Sequence, residues 1–157
     1  MGTQQILMIV LSVIVVGAAI AVGIQMFDNQ SRNMTRAAIQ TDFLQTGINI
    51  QAYFRTPVIM GGAGNIVANV TRDNLMSFIN AGDRSATINS PNGPYVFADP
   101  GSNVFVDITM DPVPAVSEWI ALARIFYDGR TDHANGIENG MWTYVGPDSH
   151  AQTPPNP

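Results

Sequence analysis

The chain has 157 residues, 46% of them hydrophobic and only 12% charged, about half the charged share of an ordinary soluble protein. All seven cations are Arg and the formal net charge is −5; no basic cluster supplies the electrostatic footprint of a nucleic-acid binder, so nucleic acid is not an expected partner. Cys is absent and His occurs twice, which excludes disulfide scaffolds, thiolate metal sites and Cys nucleophiles and leaves little for imidazole chemistry.

The average hides a division. No charged residue precedes Asp28, and all nineteen lie between Asp28 and Asp148. Residues 6–24 read ILMIVLSVIVVGAAIAVGI, with Ser12 the single polar side chain. This run reaches the length of a membrane-spanning helix, and from residue 6 to 27 a helix rises about 33 Å, close to the hydrocarbon thickness of a bilayer. A secretory signal peptide would need a basic flank and a shorter apolar core; a helix buried in a soluble core is the other alternative. Gly17, Ala18, Ala19, Ala21 and Gly23 crowd the second half of the run. Gly17/Ala21 and Ala19/Gly23 are small-xxx-small pairs, which let helix backbones approach closely. Arg32 and Arg36 follow the run and nothing basic precedes it. Taken literally, that places the C-terminal part in the cytoplasm; removal of a basic leader ahead of Met1 is the alternative.

Residues 28–54 contain no Pro and one Gly, Gly47. Apolar residues at Met34, Ala37, Ala38, Ile39, Phe43, Leu44, Ile48, Ile50, Tyr53 and Phe54 recur at helical spacing, with Arg32, Arg36, Gln40, Asp42 and Gln51 on the other face. Thr56-Pro57 ends the pattern, because the residue before Pro is pushed out of the helical region. A continuous helix over residues 3–55 would be about 80 Å long.

Beyond Pro57 the texture is that of a small sheet. Gly61-Gly62-Ala63-Gly64 reads as a flexible loop, and residues 71–80 as a short helix capped by Thr71 with Leu75, Phe78 and Ile79 on one face. Strands are predicted at 86–89, 95–97, 103–110, 117–127 and 141–145, with turns at residues 91–94, 99–101, Asp128-Gly129, Asn139-Gly140 and Gly146-Pro147. The tail QTPPNP reads as irregular and exposed. The predicted class is α+β: a long N-terminal helix packed on a small antiparallel sheet with one loaded face. The divisions are an apolar membrane or filament-core helix (1–27), its amphipathic continuation (28–55) and a β-sheet head (56–157).

One long helix, apolar then amphipathic, followed by a small sheet resembles the type IV pilins and their pseudopilin relatives. The resemblance covers the architecture of the whole chain and, in sequence, about the first fifty residues. It implies that a short basic leader is cut off by a prepilin peptidase, that Met1 is the methylated mature N-terminus, and that the apolar half moves from the inner membrane into the core of an extracellular filament. The family usually has Glu where this chain has Gln5. That Glu neutralises the terminal amine of a neighbouring subunit; Gln5 is cheaper to bury and accepts a hydrogen bond instead, with Thr3 and Gln4 beside it. The family's helix-breaking Pro and C-terminal disulfide are absent, which leaves Gly17 and Gly23 as the places where the helix would unwind.

Other signals are weaker. Asp128, Asp132, Asn135 and Glu138 in DGRTDHANGIE are candidate oxygen ligands for a hard cation, although the spacing is not that of an EF-hand and a solvated loop is the simpler reading. Some pseudopilins bind calcium in an equivalent loop. Asn33 and Asn69 fit the glycosylation acceptor pattern, Asn69 alone in an expected loop; Thr153 beside Pro154-Pro155 is a candidate for O-linked sugar. No phosphate loop, HExxH or GxSxG motif occurs, so neither catalysis nor a cofactor is expected. The expected function is a structural pilin of an extracellular filament serving adhesion or motility. Its partners are copies of itself, the membrane before assembly, and the assembly machinery. A pseudopilin of a secretion or DNA-uptake system, or an unrelated membrane-anchored domain, is the alternative.

Overall fold

The computed structural model describes residues 2–80, 84–101 and 103–155, apart from the side chain of His150. Helix α1 runs Gly2–Arg55 without a break. Helix α2 is Arg72–Ile79, and the strands are β1 Thr87–Ser90, β2 Gly93–Phe97, β3 Phe105–Met110, β4 Trp119–Phe126 and β5 Met141–Pro147. They form one antiparallel meander in the order β1-β2-β3-β4-β5. The class is α+β and the architecture is pilin-like: a 54-residue N-terminal helix and a five-stranded open sheet. The chain divides into two compact units, one ending at Thr35 and one beginning at Arg36.

In the second unit, the part of α1 from Arg36 onward covers one face of the sheet. The buried stripe is Ile39, Phe43, Gly47, Ile50 and Tyr53, at steps of four, four, three and three, as one side of a helix requires. It meets Val106, Ile108 and Met110 of β3, Ala121, Ala123 and Ile125 of β4, and Tyr95 and Phe97 of β2 in one core. Aromatic pairs fasten the layers: Phe43 against Tyr95, Tyr53 against Phe78 and Phe54 against Tyr127, each with ring centroids 5.3 Å apart. Gly47 lets helix and sheet approach. A Cβ there would lie 3.3 Å from Met141 Sδ and 3.7 Å from Ile125 Cδ1, so a large side chain would force the layers apart. The stripe is narrower than the apolar pattern predicts, since Met34, Leu44 and Ile48 stay exposed. Two residues assigned to the polar face turn inward. Gln51 donates to the carbonyls of Asn139 (2.7 Å) and Phe126 (3.4 Å). Asp42 Oδ2 accepts from Ser90 Oγ (2.7 Å), Asn92 Nδ2 (2.6 Å) and the Tyr95 hydroxyl, which clamps the β1–β2 hairpin to the helix.

The glycine-rich loop is a helix cap. Ala63, Gly64 and Asn65 donate backbone N–H bonds to the carbonyls of Tyr53, Thr56 and Phe54 at 3.0, 2.9 and 2.8 Å, satisfying acceptors that a helix end leaves open. Gly62 is required by close approach, because a Cβ there would sit 2.2 Å from the Thr56 carbonyl oxygen. The short helix is capped as predicted: Thr71 Oγ1 accepts from Asn74 N–H.

The sheet is loaded on both faces, not one. Phe126, Ile137 and Trp142, flanked by Val104, Phe105, Leu122 and Tyr144, form a second cluster on the outer face. Its cover is the long β4–β5 connection, which Asp128-Gly129 only begins; an Asp132–Ile137 bridge folds it back. The tail is not wholly exposed either. Pro154 and Pro155 are half-buried, and the Pro155 carbonyl accepts a hydrogen bond from Arg124.

Partial burial pushes the Asp42 carboxyl up, and the bonds from Tyr95, Asn92 and Ser90 more than offset this, so its pKa lies below 3.8. The stabilisation is present above the ordinary carboxylate pKa and is lost as pH falls through the depressed folded value. Asp42→Ala is expected to cost about 2–3 kcal/mol near neutrality and to flatten the acid limb of stability below about pH 4, as urea titrations across pH will show. Unchanged stability at pH 7 would contradict the clamp.

Candidate functional site

The first unit, which ends at Thr35, is helical throughout its described residues. From Gly2 to Ser31 every described residue is exposed. Fifteen large apolar side chains between Ile6 and Phe27 are 52–75% exposed, and the most apolar stretch of α1 is wholly unburied. The length and composition suffice to cross a membrane. Helix formation follows from the absence of Pro and from backbone bonds that satisfy every interior amide, the one arrangement that suits an apolar medium. Ser12 removes the remaining polar conflict by donating its hydroxyl to the Ile9 carbonyl at 2.8 Å.

The predicted assembly residues lie on this helix. Thr3, Gln4 and Gln5 are exposed in its first turns; Met1 lies outside the described residues. Gly17, Ala21 and Gly23 are exposed, and a Cβ built on either glycine meets nothing within 4 Å. Among the described residues, therefore, neither glycine answers a packing demand. Gly17 and Ala21 share a face as i and i+4, and Ala19 and Gly23 share another. The helix does not unwind at Gly17 or Gly23.

The candidate cation ligands are not gathered into a site. Asp128 pairs with Arg130, with Nη2 to Oδ2 at 3.0 Å. Asp132 caps a single turn: its Oδ1 accepts from Ala134 N–H at 3.1 Å and its Oδ2 from the Asn135 amide at 2.6 Å. Glu138 faces the exposed His133 at 3.9 Å. Among the described residues no group of three or more His, Cys, Asp or Glu could hold a metal ion. The Asn69 amide is also committed, donating to the Ala63 carbonyl at 3.1 Å, and the residue is half-buried. Glycosylation there would break the helix cap. Thr153 is exposed.

Sequence reasoning missed a second set of exposed apolar groups on the head. Leu44 and Ile48, with Gly47, Gln51, Asn139 and Met141, line a shallow groove of about 180 Å³. In the turn after α1, Val58, Ile59 and Met60 are 57%, 100% and 74% exposed. The consecutive apolar triplet VIM after Pro57 carried that signal.

Compared with known proteins, the chain matches no family model, no curated protein and no solved structure.

Because its acidic loop lacks a gathered ligand set, the head is expected to melt at the same temperature in millimolar calcium and in EDTA, within about 1 °C, since a ligand stabilises only what it binds. A calcium-dependent rise of several degrees would restore the cation site.

Proposed function

We propose that this chain is the structural subunit of an extracellular helical filament of the type IV pilus kind, held together by its apolar helix and serving adhesion or motility. The observation that carries the reading is the uncovered apolar helix of residues 2–31. Fully burying a large apolar side chain stabilises by about 1.5–3 kcal/mol. Fifteen of them left in water would outweigh the whole stability of a typical domain, about 5–15 kcal/mol. The helix therefore needs a cover, and the small-residue pairs favour other helices over lipid alone. Lipid tails gain nothing from Gly17, Ala21 or Gly23; a helix placed against them gains close dispersion contacts.

In this reading the chain waits in a membrane and then exchanges lipid for copies of itself, so the apolar half never meets water. Gln5, Gln4 and Thr3 satisfy polar atoms of neighbouring subunits at one end of the core without an ion pair. The heads form the outer layer, and Ile59, Met60, Leu44 and Ile48 are the apolar groups available between them.

Gly17→Leu and Ala21→Leu test the core. Both sites are exposed, and Gly17 borders open space in the single chain, so the head is expected to fold and melt as before. Filament yield in sheared surface material is expected to fall at least ten-fold. Normal filaments from both variants would refute close packing at these residues. Removal of residues 1–27 is expected to leave a soluble monomer by light scattering; a truncated chain that still polymerised would show that the apolar helix is not the driver.

A further inference from the structure

The outer face of the sheet holds a contact that neither the core nor the assembly helix explains. Arg124 on β4 is 9% exposed. Its guanidinium forks onto Asp107, Nε to Oδ1 at 2.7 Å and Nη2 to Oδ2 at 2.8 Å, and lies 3.9 Å above the centre of the Phe105 ring. Nη1 points elsewhere and donates to the Pro155 carbonyl at 2.8 Å. Pro154 and Pro155 are half-buried, while Ala151, Gln152 and Thr153 are exposed. The surroundings are aromatic and apolar: Trp142 stands opposite Arg124 on β5, and Leu122 and Tyr144 form the next pair along the same face.

This is the chemistry by which extended proline-containing segments are recognised. Proline pre-sets the backbone, so little entropy is lost on docking, and an extended segment has no internal hydrogen bonds competing for its carbonyls. A fixed donor among aromatic rings supplies the rest. The acceptor is a main-chain carbonyl, which any copy of the tail presents equally.

We propose that this face is a docking groove for the Pro-Pro tail of a second copy: a chain alone seats its own tail there, and in the polymer a neighbour's tail takes the place, strapping adjacent heads together. The exchange rests on the filament reading; the groove itself does not. Three observations favour a second copy as the occupant. The segment seated on the groove is one that every copy carries. The anchor is the hydrogen bond from Arg124 to the Pro155 carbonyl, and an identical segment from a neighbour remakes it without net loss, as in domain swapping. The tail also leaves the sheet from β5, an edge strand, so it starts at the rim of the sheet, and five extended residues reach about 15 Å.

The test uses the chain ended at His150, in detergent, and the synthetic peptide AQTPPNP. Saturable binding with a change in tryptophan fluorescence is expected. Binding to the full chain is expected to be at least ten-fold weaker, because the tethered tail competes at high effective concentration. Arg124→Lys keeps a cation beside Asp107 but lacks the fork that serves both partners; in the shortened chain it is expected to weaken the peptide about ten-fold while circular dichroism shows the head still folded. A peptide with both prolines of the Pro-Pro pair replaced by Ala is expected to bind at least five-fold more weakly. Absence of saturable binding to the shortened chain overturns the groove. For exchange, filaments are assembled from the shortened chain, from full-length Arg124→Lys, and from a mixture of the two. Mixed filaments that resist shear better than either alone support strapping; mixed filaments no stronger than either alone confine the tail to its own sheet. The peptide arm needs no polymer, so a failure to form filaments would count against the proposed function and not against the groove.

Discussion

The constraint on which the rest depends is the refusal of water to solvate a bare apolar helix. The buried core of the head is drawn from residues between Ile39 and Val145, so the apolar run contributes nothing to it. Its described residues are exposed, and the free energy available from covering them exceeds the stability of a small domain. Its small residues, Gly17, Ala21 and Gly23, are of the kind that lets helix backbones approach closely. The glycines weaken the helix by about 1 kcal/mol each relative to Ala, and among the described residues a Cβ at Gly17 or Gly23 meets nothing within 4 Å.

The head follows a different logic. Because the sheet is small and loaded on both faces, its layers are fixed by a few polar fasteners reaching across long sequence separations. Asp42 ties the β1–β2 hairpin to α1, Gln51 ties α1 to the β4–β5 connection, and Arg124 ties Asp107 to the tail. Each of these three side chains is hydrogen-bonded, as polar groups drawn away from water must be. Burial pushes the Tyr127 hydroxyl up, and the carboxylates of Asp107 and Asp99 add to the effect; the hydroxyl donates to the Phe105 carbonyl at 3.1 Å. Such fastening leaves the head's surface free to present Ile59, Met60 and the groove at Gly47 without risk to the fold.

Much of this was legible in residues. The end of α1 at Thr56-Pro57, the Thr71 cap and the inward alternation of Val106 and Ile108 reflect local physics, and the structure agrees with them; Val104, which the sequence pattern puts on the same face, precedes β3 and joins the outer cluster. Strand β4 was harder, because burial on both faces removes the alternation that marks a strand; its aromatic and β-branched content carried the correct reading. The inward turn of Asp42 and Gln51 was not legible, since their partners lie 48 to 88 residues away and a carboxylate on a helix normally faces water. The exposure of Leu44 and Ile48 was hidden for the same reason: spacing marks an apolar face but not how far a small sheet extends to cover it. The tail looked irregular because a Pro-Pro segment has no local structure to announce, and its anchor is an Arg paired with Asp107. On the apolar helix the sequence pattern singled out Gly17, Ala21 and Gly23, and among the described residues a Cβ at either glycine meets nothing within 4 Å.

The central claim is that copies of this helix finally cover one another. Electron cryo-microscopy of native surface material, purified without detergent, tests it most directly. The account predicts helical filaments with residues 2–27 of neighbouring subunits in a continuous central bundle and the sheets outside. Recovery of the chain solely from the membrane fraction, as single helices in lipid with no polymer at any stage of growth, would contradict it.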